Sequence, residues 1–124
     1  MQKTDIHTLY SNYSTLEKEK LVELQELIHE VAREANVEIN EDLKWGQLSF
    51  ASPKGTPIRI DKYSDTQIGF FVHCQTTLVE TWRSLFADTL CFSKNRAILL
   101  ELNAPLPKEA LKICIDHALN YHSK

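Results

Sequence analysis

His73 and Cys74 are adjacent, and they stand where an apolar strand pattern ends and a helix pattern begins. Side chains at such a position often meet solvent and ligands. Free N–H groups at a helix start lower the pKa of a thiol, which makes Cys74 a candidate nucleophile of an enzyme. The alternative is that Cys74 packs as a small hydrophobe, since adjacent strand residues point to opposite faces and His73 would not then act as its base.

A second group of residues has the chemistry to bind an anion. Arg83 and Arg96 could clamp an anionic group through their fork-shaped donors, while Trp45 supplies an apolar wall and His73 a hydrogen bond that titrates near neutral pH. The alternative for the two arginines is structural salt bridging to nearby carboxylates such as Glu80.

Further polar candidates stand at predicted element ends: Arg59, Asn95, Tyr121 and His122. On a helical wheel His122 falls in line with Leu111 and Cys114, which predicts that it faces inward or lies at the edge of the core. A histidine at such a place is more often hydrogen-bonded packing than a ligand.

An acidic stripe runs along the first predicted helix, from about Thr15 to Asn36. Ser14 and Glu17 have the spacing of a capping box at its start. Apolar residues at helical spacing form one face, and five glutamates occupy the other: Glu19, Glu23, Glu26, Glu30 and Glu34. The last four of these carboxylates could collect iron or another divalent cation weakly. With lysines nearby, the alternative is a solvated helix face.

The order of elements predicts an α+β fold. Between Leu43 and His73 the hydrophobic period is two, and turn residues divide this stretch into three antiparallel strands. Thr77 and Glu80 form a second capping-box pattern, which predicts a short middle helix. A hairpin follows around residues 90–100, and a last helix runs to about Tyr121. We therefore expect a single domain over residues 1–124, with a sheet of about five strands packed by three helices and an irregular segment at residues 1–13.

Composition excludes several classes of protein. A chain of 124 residues suits one domain, and a net charge of -3 lacks the basic excess of a nucleic-acid binder. No apolar run approaches the roughly 18 residues of a membrane span, and the first residues are polar. Three widely spaced cysteines favour reduced thiols. We expect a cytoplasmic protein without a membrane or nucleic-acid partner.

Four strings resemble the DUF1801 (YdhG-like) family, in the family's order: residues 43–46 (LKWG), 71–80 (FVHCQTTLVE), 95–98 (NRAI) and 121–122 (YH). The resemblance implies a small α+β domain whose antiparallel sheet is packed by helices. The family's recurrent positions match Trp45, Gly46, His73, Cys74, Arg83, Asn95 and Arg96, with no established catalytic role attached to them. Many relatives have Pro within two residues of Trp-Gly, whereas Gln47 and Leu48 follow here.

The resemblance also bears on a metal. The family includes a frataxin-like iron chaperone of Bacillus, which makes iron a candidate cargo for Glu23, Glu26, Glu30 and Glu34. Shared fold alone does not transmit function.

We therefore favour a small binding domain of unknown ligand, with a pocket for an anion on the sheet. The residues expected to line or flank this pocket are Trp45, His73, Cys74, Arg83, Asn95, Arg96 and His122. A frataxin-like iron chaperone and an enzyme with Cys74 as nucleophile are the alternatives. The expected partner is a small molecule or another protein.

Overall fold

The fold, taken from a computed structural model, is described for residues 3–73 and 76–122. These residues form four helices, α1 (Ile6–Leu9), α2 (Thr15–Glu34), α3 (Leu78–Leu85) and α4 (Lys108–Leu119). They also form six strands: β1 (Asn40–Lys44), β2 (Gln47–Ala51), β3 (Ile58–Ser64), β4 (Gln67–Phe71), β5 (Cys91–Ser93) and β6 (Ala97–Glu101). The predicted α+β class is confirmed.

All six strands belong to one antiparallel sheet in the order β1-β2-β3-β4-β6-β5. Its apolar face is fully buried and carries Leu48, Phe50, Ile58, Ile60, Ile68, Phe70 and Ile98. Helix α2 contacts β3 and β4, while α4 packs on α2 and α3 on α4. Trp82 of α3 meets Phe70 edge to face, with 6.0 Å between the ring centroids. The alternate strand positions therefore form a second face, away from this core.

The sheet has one strand more than predicted, because β1 was missed. Four of the five residues of β1 are exposed, so no alternation of apolar and polar positions marks it as a strand. A two-residue turn joins β1 to β2, and both of its residues have positive φ, +57° at Trp45 and +79° at Gly46. This combination is the one that the right-handed twist of a hairpin favours.

Helix α2 begins as predicted. The Ser14 hydroxyl accepts a hydrogen bond from the backbone N–H of Glu17, and the Glu17 carboxylate accepts one from the N–H of Ser14. The helix ends at Glu34, and Asn36 follows with φ of +56°. Asparagine tolerates this left-handed conformation better than most residues, so the helix stops close to the predicted end.

Three local predictions were wrong. Residues 1–13 are not wholly irregular, since α1 forms a helical turn in which the Asp5 side chain accepts from the N–H of His7. Thr77 stands at the N-cap of α3 without a side-chain capping bond. Of the two placements predicted for His122, the inward-facing one is wrong, since His122 is exposed: α4 ends at Leu119 and the helical wheel does not extend to residue 122.

The hairpin of β1 and β2 is held by polar contacts of two side chains, Glu41 and Tyr10. Glu41 has the one side chain of β1 that is not exposed, and its carboxylate accepts from the N–H of Thr4 and the amide of Gln25 and pairs with His29. Tyr10 bridges β2 and β3 through its hydroxyl, which accepts from the N–H of Leu48. Beyond Leu48 the pairing of β2 with β3 ends, so the turn at Trp45 projects from the sheet.

Among the helices of the described residues, none has the length and apolar character needed to cross a bilayer.

Candidate functional site

A small cavity of about 180 Å³ lies at the second face of the sheet, beside the turn of the first hairpin. The described residues that line it are Lys44, Trp45, Ser49, Pro57, Arg59 and His73. They come from the end of β1, the turn, β2, the start of β3 and the residue pair after β4. The predicted residues Trp45 and His73 are therefore brought together, although 28 positions separate them in the chain.

Ser49 and Arg59 form the floor of this cavity on two neighbouring strands. They are direct partners in the pairing of β2 with β3, so their side chains emerge next to each other on the same face. Ser49 is 1% exposed, and its hydroxyl has no hydrogen-bond partner among the described residues. A buried hydroxyl without a partner costs about 1–3 kcal/mol, so a ligand that bonds to it would recover this free energy.

Arg59 brings a half-buried positive charge to the same place. Within residues 3–73 and 76–122 its guanidinium forms no ion pair. A half-buried guanidinium usually has a carboxylate partner, because its five donors and its charge need compensation. Since Arg59 lines a cavity instead, an anion that enters the cavity would supply this compensation.

Trp45 forms an exposed apolar wall. Its side chain is 93% exposed, and its backbone adopts the left-handed conformation with φ of +57°. A bulky residue in this conformation costs about 1–2 kcal/mol relative to a right-handed one. Strain of this kind is concentrated at binding and catalytic sites, where the geometry that it maintains has a use.

His73 is exposed at the end of β4, and hydrogen bonds of described residues lie on both sides of it. The N–H of Val72 donates to the carbonyl of Arg96 at 2.8 Å, which extends the pairing of β4 with β6 by one residue. The His73 carbonyl accepts from both the hydroxyl and the N–H of Thr76, at 2.9 and 3.1 Å. These bonds tie Val72 to Arg96 and the His73 carbonyl to Thr76, and His73 lines the cavity.

The charge of the described lining has one sign. Lys44 and Arg59 are cationic, and none of the six described lining residues is acidic. The nearest carboxylate along β1 is that of Asp42, which lies 3.9 Å from the Lys44 amine, and both of these side chains are exposed. The cavity is suited to an anion, since a desolvated cation would meet only repulsion there.

The arginines that the sequence analysis favoured lie elsewhere. Arg83 donates to the carbonyl of Lys94 at 2.6 Å, and its guanidinium stacks over the ring of Phe92. Asn95 and Arg96 are exposed in the turn between β5 and β6. None of these three residues lines the cavity beside Trp45. The guanidinium that does so belongs to Arg59, which the sequence analysis named only among the further polar residues.

His122 lines a different and larger cavity, of about 600 Å³, between the start of α3 and the end of α4. His117 and Tyr121 line it as well. His117 accepts a hydrogen bond at Nδ1 from the Trp82 indole, and the Tyr121 hydroxyl accepts from the N–H of Thr77. These two polar atoms thus have partners within the protein, unlike the buried hydroxyl of Ser49, which has none among the described residues.

The cysteines divide into three cases. Cys74 lies outside the described residues. Cys91 is an exposed free thiol, and Cys114 is a buried one. Burial raises the pKa of the Cys114 thiol to about 12, so it stays protonated and unreactive at neutral pH.

The acidic stripe of α2 is largely engaged with lysines. The Glu30 carboxylate lies 2.6 Å from the amine of Lys112, which also reaches Glu34 at 4.0 Å. Glu23 lies within 3.6 Å of Lys108, and Glu26 is exposed. The hydrogen bond from Lys112 lowers the pKa of Glu30. Within the described part of the chain, no three acidic, histidine or cysteine side chains are grouped so that they could hold a metal ion.

Three residues that line the cavity were not predicted as site residues: Ser49, Lys44 and Pro57. The sequence does contain a signal for Ser49. This residue stands between the apolar Leu48 and Phe50, just as Arg59 stands between Ile58 and Ile60. This alternation predicts that both polar residues leave the core on the face opposite to their neighbours. What it does not predict is that they are partners, since that depends on the order and register of the strands.

The fold and the site together define an α+β domain with a cationic cavity on the second face of its sheet. Comparison with known proteins yields no match to this chain among family models, curated proteins or solved structures.

Proposed function

We propose that this protein is a small binding domain that holds an anionic ligand in the cavity between Trp45 and His73. One observation carries the proposal. The guanidinium of Arg59 stands beside the buried hydroxyl of Ser49, and within residues 3–73 and 76–122 the first has no ion-pair partner and the second no hydrogen-bond partner. An anion that accepts from both groups would satisfy a charge and a polar atom that the fold leaves uncompensated.

Each lining residue has a distinct role in this proposal. Arg59 binds the anionic group, and Ser49 adds a neutral donor next to it. Lys44 raises the positive potential of the cavity, His73 offers a ring nitrogen for hydrogen bonding, and Trp45 covers the apolar part of the ligand. Membership of the DUF1801 family and a reduced, cytoplasmic setting are part of the proposal, on the strength of the strings around Trp45 and His73 and of the cysteine content.

The two other candidate functions gain less support. Three of the four glutamates proposed to collect iron, Glu23, Glu30 and Glu34, contact Lys108 or Lys112, which reduces the negative charge available to a cation. The proposed nucleophile Cys74 lies outside the described residues. The anion-binding function is the one that described contacts support.

A thermal-shift panel tests the proposal. Acetate, benzoate, phosphate and sulfate are added to the intact protein, with benzamide as a neutral comparison. We expect at least one anion to raise Tm by about 4 °C or more at saturation, since a ligand that binds only the folded state stabilises it. Benzamide should leave Tm unchanged.

The variant Arg59→Gln should abolish the shift while the circular dichroism spectrum stays unchanged. The matched control is Arg33→Gln, which removes an exposed arginine of α2, a helix that contributes no residue to the described cavity lining. A panel in which no anion stabilises the wild type, or in which Arg59→Gln responds like the wild type, would overturn the proposal.

A further inference from the structure

We infer that the ligand is a small planar carboxylate with a flat, aromatic body, and this inference rests on the anion-binding function proposed above. The described lining residues differ in chemistry. Arg59 and Ser49 are polar and lie side by side on β3 and β2, whereas Trp45 in the turn and Pro57 before β3 are apolar.

The polar pair of Arg59 and Ser49 is suited to a carboxylate. A guanidinium offers two parallel N–H donors in one plane, which match the two oxygens of a carboxylate. The Ser49 hydroxyl stands on the adjacent strand, level with Arg59, and can donate to one of the same oxygens. A phosphate dianion would draw on more donors than these, and none of the six described lining residues belongs to a helix whose N-terminus could supply them.

The apolar lining residues, Trp45 and Pro57, are suited to a flat ring. The Trp45 indole is 93% exposed, so both its faces are available for stacking, and the left-handed backbone at the turn fixes the direction in which the side chain leaves the hairpin. The Pro57 ring is also exposed and lines the same cavity. Aromatic rings stack in offset geometry on such surfaces and gain affinity beyond the area that they cover.

The size of the cavity limits the ligand. At about 180 Å³ it is smaller than the roughly 300–1,000 Å³ of sites that enclose drug-sized molecules. A single ring with one carboxylate is therefore a better match than a nucleotide or a larger cofactor. Benzoate is the simplest molecule of this class.

Calorimetric titration of the full chain with sodium benzoate tests the inference, with acetate, phenyl phosphate and inorganic phosphate titrated in parallel. We expect benzoate to bind about tenfold more tightly than acetate, because the ring stacks on Trp45. We also expect it to bind more tightly than either phosphate compound. Acrylamide quenching provides a second readout, since Trp45 is exposed and Trp82 is fully buried, so bound benzoate should protect the accessible tryptophan.

Three variants separate the contributions. Trp45→Ala should reduce benzoate affinity to that of acetate while acetate affinity stays the same, and Trp45→Phe should retain most of the benzoate affinity because a flat ring remains. Arg59→Lys keeps the charge but loses the fork, and we expect it to weaken benzoate binding by about tenfold. Leu43→Ala is the matched control, because Leu43 is an exposed apolar residue of the same hairpin that does not line the cavity.

The outcomes distinguish this inference from the proposed function. Equal affinity for acetate and benzoate would overturn the aromatic class, and tighter binding of a phosphate compound would overturn the carboxylate class, while either result leaves anion binding intact. Failure of all four anions to bind would remove both.

Discussion

The hydroxyl of Tyr10 donates to the backbone carbonyl of Ile60 at 2.7 Å and accepts from the N–H of Leu48 at 2.9 Å. Leu48 and Ile60 are the last partners in the pairing of β2 with β3. The phenol thus stands where the two strands separate, and burial raises its pKa to about 12. The turn that carries Trp45 begins just beyond this point, so the bridge by Tyr10 sets the base from which the hairpin projects.

Tyr10→Phe should destabilise the fold by about 1–3 kcal/mol, because it leaves a buried N–H and a buried carbonyl without their partner. Urea unfolding followed by circular dichroism measures the change. Tyr13→Phe is the matched control, since the Tyr13 ring stacks on Tyr10 but its hydroxyl donates to the partly exposed carboxylate of Asp61. If the two variants lose the same free energy of unfolding, the bridge between the strands does not have the role assigned to it.

Trp45→Asn should stabilise the protein by about 1 kcal/mol and at the same time reduce its affinity for benzoate to that for acetate. Asparagine followed by glycine is the preferred pair for a hairpin turn with two positive φ angles, so the strain at residue 45 is relieved. Urea unfolding and calorimetric titration measure the two effects.

Leu43→Asn is the control for this prediction, because Leu43 is 51% exposed but lies within a strand, where asparagine brings no gain. A Trp45→Asn variant that is less stable than the wild type would show that the left-handed backbone at this position is not strained.

The sequence predicts more of the fold than of the candidate site. Periodicity predicts β3, β4 and the last hairpin because their apolar residues alternate, whereas the exposed β1 carries no such pattern. For the site, the sequence identifies Trp45 and His73 as candidates, but Arg83 and Arg59 cannot be ranked from it. The strand order decides between them, because it sets β3 next to β2 and thereby Arg59 beside Ser49.

Glu41→Gln should make the free energy of unfolding depend less on pH in the acid range. Burial alone would raise the pKa of Glu41, whose side chain is 2% exposed, but hydrogen bonds from His29, Thr4 and Gln25 outweigh burial and hold the pKa below its ordinary value. A lowered carboxylate pKa contributes stability that is present above the ordinary value of 4.5 and is lost as the pH falls through the folded-state pKa.

Urea unfolding at several values between about pH 3 and pH 6 tests this prediction. We expect the free energy of unfolding of the wild type to fall steeply as the pH is lowered over this range. Glu41→Gln should be less stable than the wild type at the highest pH, and its free energy of unfolding should change less with pH. Glu30→Gln is the control, because the exposed pair of Glu30 with Lys112 is screened by solvent and contributes little. Parallel pH profiles for the wild type and Glu41→Gln would contradict the prediction.

Gly55→Ala should cost about 1–3 kcal/mol through overpacking. Gly55 lies in the loop that leads to Pro57 and Arg59, and this loop rests on the end of α4, where the N–H of Thr56 donates to the carbonyl of Ala118 at 2.9 Å. A β-carbon at residue 55 would stand 2.5 Å from the carbonyl oxygens of Ala118 and Leu119, which belong to the main chain and cannot move independently.

The comparison variant for this prediction is Gly46→Ala, since a β-carbon there meets nothing within 4 Å and only the φ of +79° opposes it. We expect Gly55→Ala to lower both the free energy of unfolding and the affinity for benzoate, because a displaced loop carries Arg59 away from Ser49. Gly46→Ala should lower the free energy of unfolding by about 1–2 kcal/mol without that second effect on Arg59. Unchanged benzoate affinity in Gly55→Ala, measured at a temperature where the variant is folded, would show that the contact of the loop with α4 does not position the site.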